Sequence, residues 1–405
     1  MTKAALPGNY WLGVFAMSFC AFVLIASEFM PVSLLTPIAA DLKVSEGMAG
    51  WGIGISGLFA VLTSLLLPKL LGKRDRRNVL LIMTALMGLS GLLIALAESY
   101  WIYMSGRALI GVVVGGFWSM SVAVAMRLVS ADKIPKAMAV FNGGNALATI
   151  LAAPLGSYLG GLIGWRGVFL LLLPLSLITA LWQRFSLPAL PALTQTVATG
   201  HTTNVFKLLV SQRSLSLGML ACGLFFMGQF ALFTYIRPFL ETITQVNHAE
   251  HLSLILLVIG IMGLIGNLLI GFVLKRSLYG VLGGVPIFMA LIASALIGFG
   301  HYLPATVVLL GIWGLLGTAA PVGWWSWLAK TLPHNAESGG ALMVAVIQLA
   351  IGLGSIIGGQ LFDQAGYAST FSFSTALLLS AAAFCWLLAR RSCHLDHSNK
   401  PAQLA

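Results

Sequence analysis

Charge is what this sequence has least of. Asp, Glu, Lys and Arg make up 8% of its 405 residues, against 59% hydrophobic residues. A water-soluble domain carries about 25% charged residues, so water cannot be the medium for most of this surface. Acids are scarcer than bases, 11 against 22. The four cysteines (Cys20, Cys222, Cys385, Cys393) form no CxxC pair, and three lie in or against apolar runs. That argues against a disulfide framework or a thiolate metal site. HExxH, the GxSxG elbow and the phosphate-cradling GxxxxGK[ST] are all missing, so the chain is not expected to be an enzyme or to burn ATP. The seven histidines are scattered through loops and tails, and no cofactor or metal is expected.

What is there is apolar sequence in long runs, with a mean hydropathy of +0.97. A helix that crosses a bilayer needs about 20 consecutive apolar residues. Runs of that kind recur at roughly 10–36, 47–71, 78–97, 100–127, 137–160, 165–184, 215–240, 249–274, 281–300, 304–330, 337–362 and 369–390. Backbone in lipid must satisfy its own hydrogen bonds, so these runs are predicted to be helices. The N-terminal "MTKAALPGNYWLG" lacks a signal-peptide cleavage pattern, and the first run is read as retained.

The net charge of +11 is explained by placement. With both termini in the cytoplasm, 18 of the 22 Lys and Arg fall at cytoplasmic ends or loops, as in "PKLLGKRDRRN" (68–78) and "RRSCHLDHSNK" (390–400). Only Lys43 and Arg166 fall in external loops, and Arg107 and Arg237 lie within runs. This is the positive-inside asymmetry; it specifies topology in an inner membrane rather than a nucleic-acid partner.

The longest polar break, 185–214, separates the runs six and six, and its "NVFKLLV" piece suits a short helix at the membrane surface. Residues 1–184 and 215–405 are therefore predicted to be two six-helix bundles, the second with a cytoplasmic tail. They echo each other. "APLGSYLGG" and "IGLGSIIGG" share L-G-S-x-x-G-G at a spacing of 198, while "GFWS" (116–119) and "GWWS" (323–326), like Pro31 and Pro238, are offset by 207. The expectation is an all-α membrane protein with twelve transmembrane helices in two pseudo-symmetric bundles. Such parallel repeats hold a substrate site between them near the midplane. Glycines at four-residue spacing, as in Gly156/Gly160/Gly164 and Gly354/Gly358, let helices approach closely. They suit sliding helices and static packing equally.

Few ionisable groups remain inside the runs. A charge at mid-bilayer costs on the order of 3 kcal/mol, so such residues face a cavity or a partner, or lose their charge. Glu28, in "IASEFMPVSLLTPIAADL" (25–42), is the clearest case. Burial disfavours the anion, and an acid so placed would load a proton on the acidic side and release it on the neutral one. A neutral Glu bonded within the bundle, or one solvated near the surface, are the alternatives. Arg107 stays charged and needs acceptors; gating or proton relay competes with helix-to-helix anchoring. Arg237, beside Pro238, suits either an outer gate or a side chain snorkelling to water. Asn145, Gln229, Tyr235, Trp324, Trp325 and Gln348 lie at comparable depth. Amides and flat rings suit a neutral heterocycle or sugar, or else interhelical bonding and interfacial anchoring.

"APLGSYLGGLIGWRGVF" (153–169) resembles the fifth-helix motif of major facilitator transporters of the drug:proton antiporter type. There Pro154, Gly156, Gly160 and Gly161 would shape a bend and close packing. "SEFMPVSLLTPIAADL" resembles the first-helix motif with its acid at Glu28, and "GRALIGVVVGG" the fourth-helix motif with Arg107 as its arginine. One loop departs: "PKLLGKRDRR" has Gly72 where that family places an aspartate, and Asp75 three residues later. "MPVSLLTPIAADLKVSEGMAG", "GGFWSMSVAVAMRLV", "GQFALFTYIRPFL" and "AVIQLA" resemble the family's purine ribonucleoside exporters. The resemblance implies efflux of nucleosides in exchange for protons by a monomer, with sugars or drugs as alternative substrates. A membrane-embedded sensor that has lost transport is the reading from another class.

Overall fold

A computed structural model describes residues 10–72, 74–191, 212–332 and 336–398. The surface helix expected at "NVFKLLV" lies outside them. The described chain is helical throughout apart from short turns, in the order α1 (Trp11–Leu42), α2 (Glu46–Leu71), α3 (Arg76–Ala95), α4 (Tyr100–Arg127), α5 (Ile134–Leu170) and α6 (Leu172–Ser186), then α7 (Arg213–Phe233), α8 (Ile236–Thr242), α9 (Ala249–Arg276), α10 (Leu278–Phe299), α11 (Leu303–Thr331) and α12 (Ala336–Ser398). Among the described residues, ten stretches are long and apolar enough to cross a membrane. Two of them run past a break: α5 breaks at Gly164 (φ 72°), after which the next span begins, and α12 breaks at Gly366 (φ 75°), which divides two full spans. Only glycine adopts that backbone region freely, so the chain reverses there without a loop. Divided at these glycines, and with residues 165–170 continued by α6, the stretches match the twelve predicted runs.

Two cores form. One gathers Val14 to Leu190, and the other runs from Leu215 to Leu388 and also takes in Val32, Ile53 and Ala153 of the first half. Within the first half, α1 packs on α5 and α2 on α4; within the second, α12 packs on α7 and α9 on α11. The halves meet through α2 against α12 and α5 against α9.

At four positions the α2 side of that seam is bare main chain. Gly47, Gly50, Gly54 and Gly57 occupy one face at helical spacing. Gly47 lies against Asp363 and the Gly359 carbonyl, Gly50 against the Tyr235 hydroxyl, Gly54 against Ile356 and Gly57 against the Gln348 carbonyl. A methyl on Gly54 would stand 2.5 Å from Ile356 and one on Gly57 2.6 Å from that carbonyl. Small residues of this kind let backbones touch where lipid offers no hydrophobic drive.

Seven cross-half hydrogen bonds lie at Glu28 or on the Asp363 side of it. Toward the basic end the halves part. Gly260 of α9 touches the Ile150 carbonyl of α5, yet Gly143, seven residues before Ile150 on the same face, meets open space.

Candidate functional site

The site is built on α1, whose two internal prolines fix its chemistry. In a helix each N–H bonds the carbonyl four residues back, and proline has no N–H to give. Pro31 therefore frees the Ser27 carbonyl and Pro37 frees the Ser33 carbonyl. Each meets an arginine. Arg107 of α4, fully buried, donates through Nη1 to Ser27 at 3.1 Å and through Nε to the Gly52 carbonyl of α2 at 3.1 Å. Arg237 of α8 reaches across the halves to the Ser33 carbonyl and pairs through Nε with Glu241 Oε1 at 2.7 Å.

Glu28 sits between these breaks, half-buried, where the halves begin to part. Its Oε1 accepts a hydrogen bond from Gln348 Nε2 of α12 at 3.3 Å. Arg107, through its bond to the preceding residue, brings a positive charge close to the carboxylate. Beside them Phe29 stacks on Phe230, with ring centroids 6.1 Å apart.

The antiporter-motif residues divide between two neighbours. Gly156 and Gly160 let α5 close on α1: a methyl on Gly156 would stand 2.5 Å from Ser33 Oγ, and Gly160 lies against Leu34. Pro154 and Gly161 face the other half. The Pro154 carbonyl accepts from Ser253 Oγ at 2.8 Å, and a methyl on Gly161 would stand 2.7 Å from Ala249. Pro154 also frees the Ile150 carbonyl, the point that Gly260 approaches.

The remaining residues expected around a substrate do not converge. Asn145 is half-buried on α5, and Trp325 is 42% exposed beside Gly340. Gln229 packs against Gly317, and its Oε1 has no partner among the described residues. Tyr235 is placed elsewhere than a substrate surface. It is wholly buried in the seam, donating its hydroxyl to the Ser355 carbonyl at 2.6 Å and stacking on Phe362. Trp324 is buried in the second core between Phe225 and Trp327. Both aromatic side chains are claimed by packing. An apolar hollow of about 460 Å³ between α10 and α11, lined by Phe288, Leu291, Leu309 and Ile312, lies on the flank of the second half, away from Glu28.

Four residues contribute to which the sequence alone assigns no role. Asp363, near the end of the first segment of α12, accepts from Ser45 Oγ at 2.5 Å and from the Gly47 N–H at 3.0 Å. It thus caps α2 from the opposite half. Ser27 and Ser33 act through their carbonyls, a signal present in Pro31 and Pro37. Asp75 answers the departure in the loop motif. It caps α3 through the Arg77 N–H at 2.8 Å and holds the Leu190 N–H at 3.0 Å, all within the first half. Gly72 has φ 45° with ψ −123°, outside the left-handed helical well, a conformation an aspartate would adopt only under strain.

Comparison with known proteins agrees with this architecture. The family model described as the Major Facilitator Superfamily matches residues 17–351. A protein of Pseudomonas aeruginosa named "Transcription regulatory protein OpdE" is 57% identical over 382 residues, covering 94% of both chains. The "Purine ribonucleoside efflux pump NepI" of Salmonella paratyphi B is 40% identical over 372 residues, 92% of each chain. Among solved structures, the nucleoside transporter NupG superposes with a TM-score of 0.74 at 15% identity, over 95% of this chain and 99% of its own. A bacterial homologue of the lysosomal transporter Spinster, inward-facing and unoccupied, gives 0.78 at 14%, over 95% and 98%. At that identity the likeness is one of fold. Proteins of this family are transporters and not enzymes. With the family model spanning most of its length, this chain belongs to the Major Facilitator Superfamily.

Proposed function

We propose that the chain exports small neutral solutes, purine ribonucleosides first among them, in exchange for protons, with Glu28 as the proton carrier. The observation that carries this is the Glu28–Gln348 hydrogen bond, formed across the halves at the inner edge of their contact. An acid there touches both moving bodies and the space between them. Arg107 holds the Glu28 segment from its own half, and Arg237 is the outer gate, since its bond to Ser33 must break when the halves part there. Inosine- or guanosine-like substrates are favoured by the 40% identity to an efflux pump so named; Asn145, Gln229 and Trp325, which this conformation does not bring together, are the side chains we propose for contact with them. Sugars or drugs carried by the same mechanism are the alternative. The distribution of Lys and Arg supports a bacterial inner-membrane protein with both termini cytoplasmic, organised as bundles 1–184 and 215–405 and working as a monomer.

Purified protein in proteoliposomes tests this. Inosine should accumulate against its gradient when an opposing proton gradient is imposed. Glu28→Gln should lose that accumulation, inosine settling at its equilibrium level because the proton gradient is no longer coupled to it, yet retain inosine exchange. Full pH-driven accumulation by the variant would discard the carrier role. A second reading, a membrane sensor acting on gene expression, is favoured by the relative at 57% identity named a transcription regulatory protein. Absence of flux for inosine, sugars and drugs alike, with an altered transcript profile on deletion, would select it.

A further inference from the structure

We propose that Gln348 is a positioning residue for proton coupling: its amide makes proton release from Glu28 favourable only while the halves are joined at this seam. The inference rests on the reading of Glu28 as proton carrier and adds the means by which conformation controls the proton.

Gln348 is 9% exposed, and its amide nitrogen is engaged by Glu28. Its backbone is fixed as well, because Gly57 lies directly on the Gln348 carbonyl, where a methyl would stand at 2.6 Å. The side chain therefore meets Glu28 only when α2 and α12 are in contact. Of the other groups around Glu28, Arg107 of α4 belongs to the same half and travels with it, so it cannot report on separation. Arg237 of α8 sits farther along α1, on Ser33. Gln348 is thus the cross-half donor to this acid.

An amide N–H bonded to a carboxylate makes a charge-assisted hydrogen bond, about twice as strong as a neutral one. It favours the charged form. A ligand shifts a conformational equilibrium only by its differential affinity for the two states; here the ligand is the proton. Joined at this seam and open toward the basic end, the protein offers Glu28 a donor and the proton leaves. Parted at the seam, the donor is withdrawn and a proton binds more tightly. Release on the basic side and loading on the other is the order that inward proton flow requires. An amide suits this role because it is uncharged in both states and adds no buried ion when the halves separate.

The test is inosine transport by the full-length protein in proteoliposomes as a function of pH. Gln348→Met keeps length and removes the donor; Gln348→Asn keeps the amide but shortens its reach. Losing a donor to the anion lets Glu28 keep its proton to higher pH, so both variants should move the pH midpoint of transport upward by about one unit, with little change in the KM for inosine. A wild-type midpoint in both variants overturns the proposal. So does a raised KM at an unmoved midpoint, which would make Gln348 a substrate contact. Wild-type protein with no response to a proton gradient defeats the carrier reading itself; a responding wild type with unshifted variants defeats only the role of Gln348.

Discussion

Pro31 and Pro37 make the same break in the same helix, yet the two carbonyls they release are treated differently. Ser27 is satisfied by Arg107 from within its own half, wholly buried and tied to α2 as well. Ser33 is satisfied by Arg237 from the other half, close to the seam's outer end. One bond stays within a single body and the other joins two; on the function proposed above, the first is a strut and the second is made and broken as the halves move. Identical local chemistry thus acquires different meaning from which body supplies the donor.

The largest effect should come from the strut. Arg107→Ala strands two carbonyl contacts in the core of the first half and should cost about 3 kcal/mol or more of stability, visible as a fall in the thermal unfolding midpoint in detergent. Lysine should rescue poorly, because a point-like ammonium cannot span the Ser27 and Gly52 carbonyls as a guanidinium fork does. Arg237→Ala should leave that midpoint nearly unmoved. It should instead shift the population away from the joined seam by about fivefold, the equivalent of roughly 1 kcal/mol, read as a wider spin-label distance across the Asp363 end. Pro37→Ala sharpens the contrast, since it returns a helical N–H to Ser33. In that background Arg237→Ala should add little, and additive effects would show that the bond to Ser33 is not what Arg237 contributes.

The smallest effects come from two aspartates that also share one chemistry. Asp363 caps α2 across the seam and Asp75 caps α3 within its half. Replacing either by Ala should cost about 1 kcal/mol. For Asp363 that cost should appear as seam opening in the distance measurement; for Asp75, only as lower thermal stability. Equal behaviour of the two variants would break the comparison.

The arrangement of spans was legible in the sequence because lipid leaves the backbone no option but helix. The breaks at Gly164 and Gly366 lay within the turns between predicted runs. Glu28 and Arg107 stood out for the same reason, as charges in apolar sequence. Arg237 was ambiguous between snorkelling and gating, and only the fold shows its guanidinium on Ser33. Tyr235 and Trp324 are buried in packing here, a placement the sequence does not disclose because a polar-tipped ring at membrane depth looks alike in a cavity and in a packed core. Asp363, an acid near a helix end, carries no local sign of its role. Its partner, the first turn of α2, is more than 300 residues away in sequence, and no local pattern carries that information.

The run of naked backbone from Gly47 to Gly57 bears on speed as well as on fit. With no side chain of its own at these four glycines, Gly47, Gly50, Gly54 and Gly57, α2 offers only shallow seats to Ile356, Tyr235 and Asp363 of the other half, so few deep contacts have to be undone to lift one lobe from the other. Strength at the joint is then concentrated in a handful of polar clasps, each of which can be released singly rather than all at once.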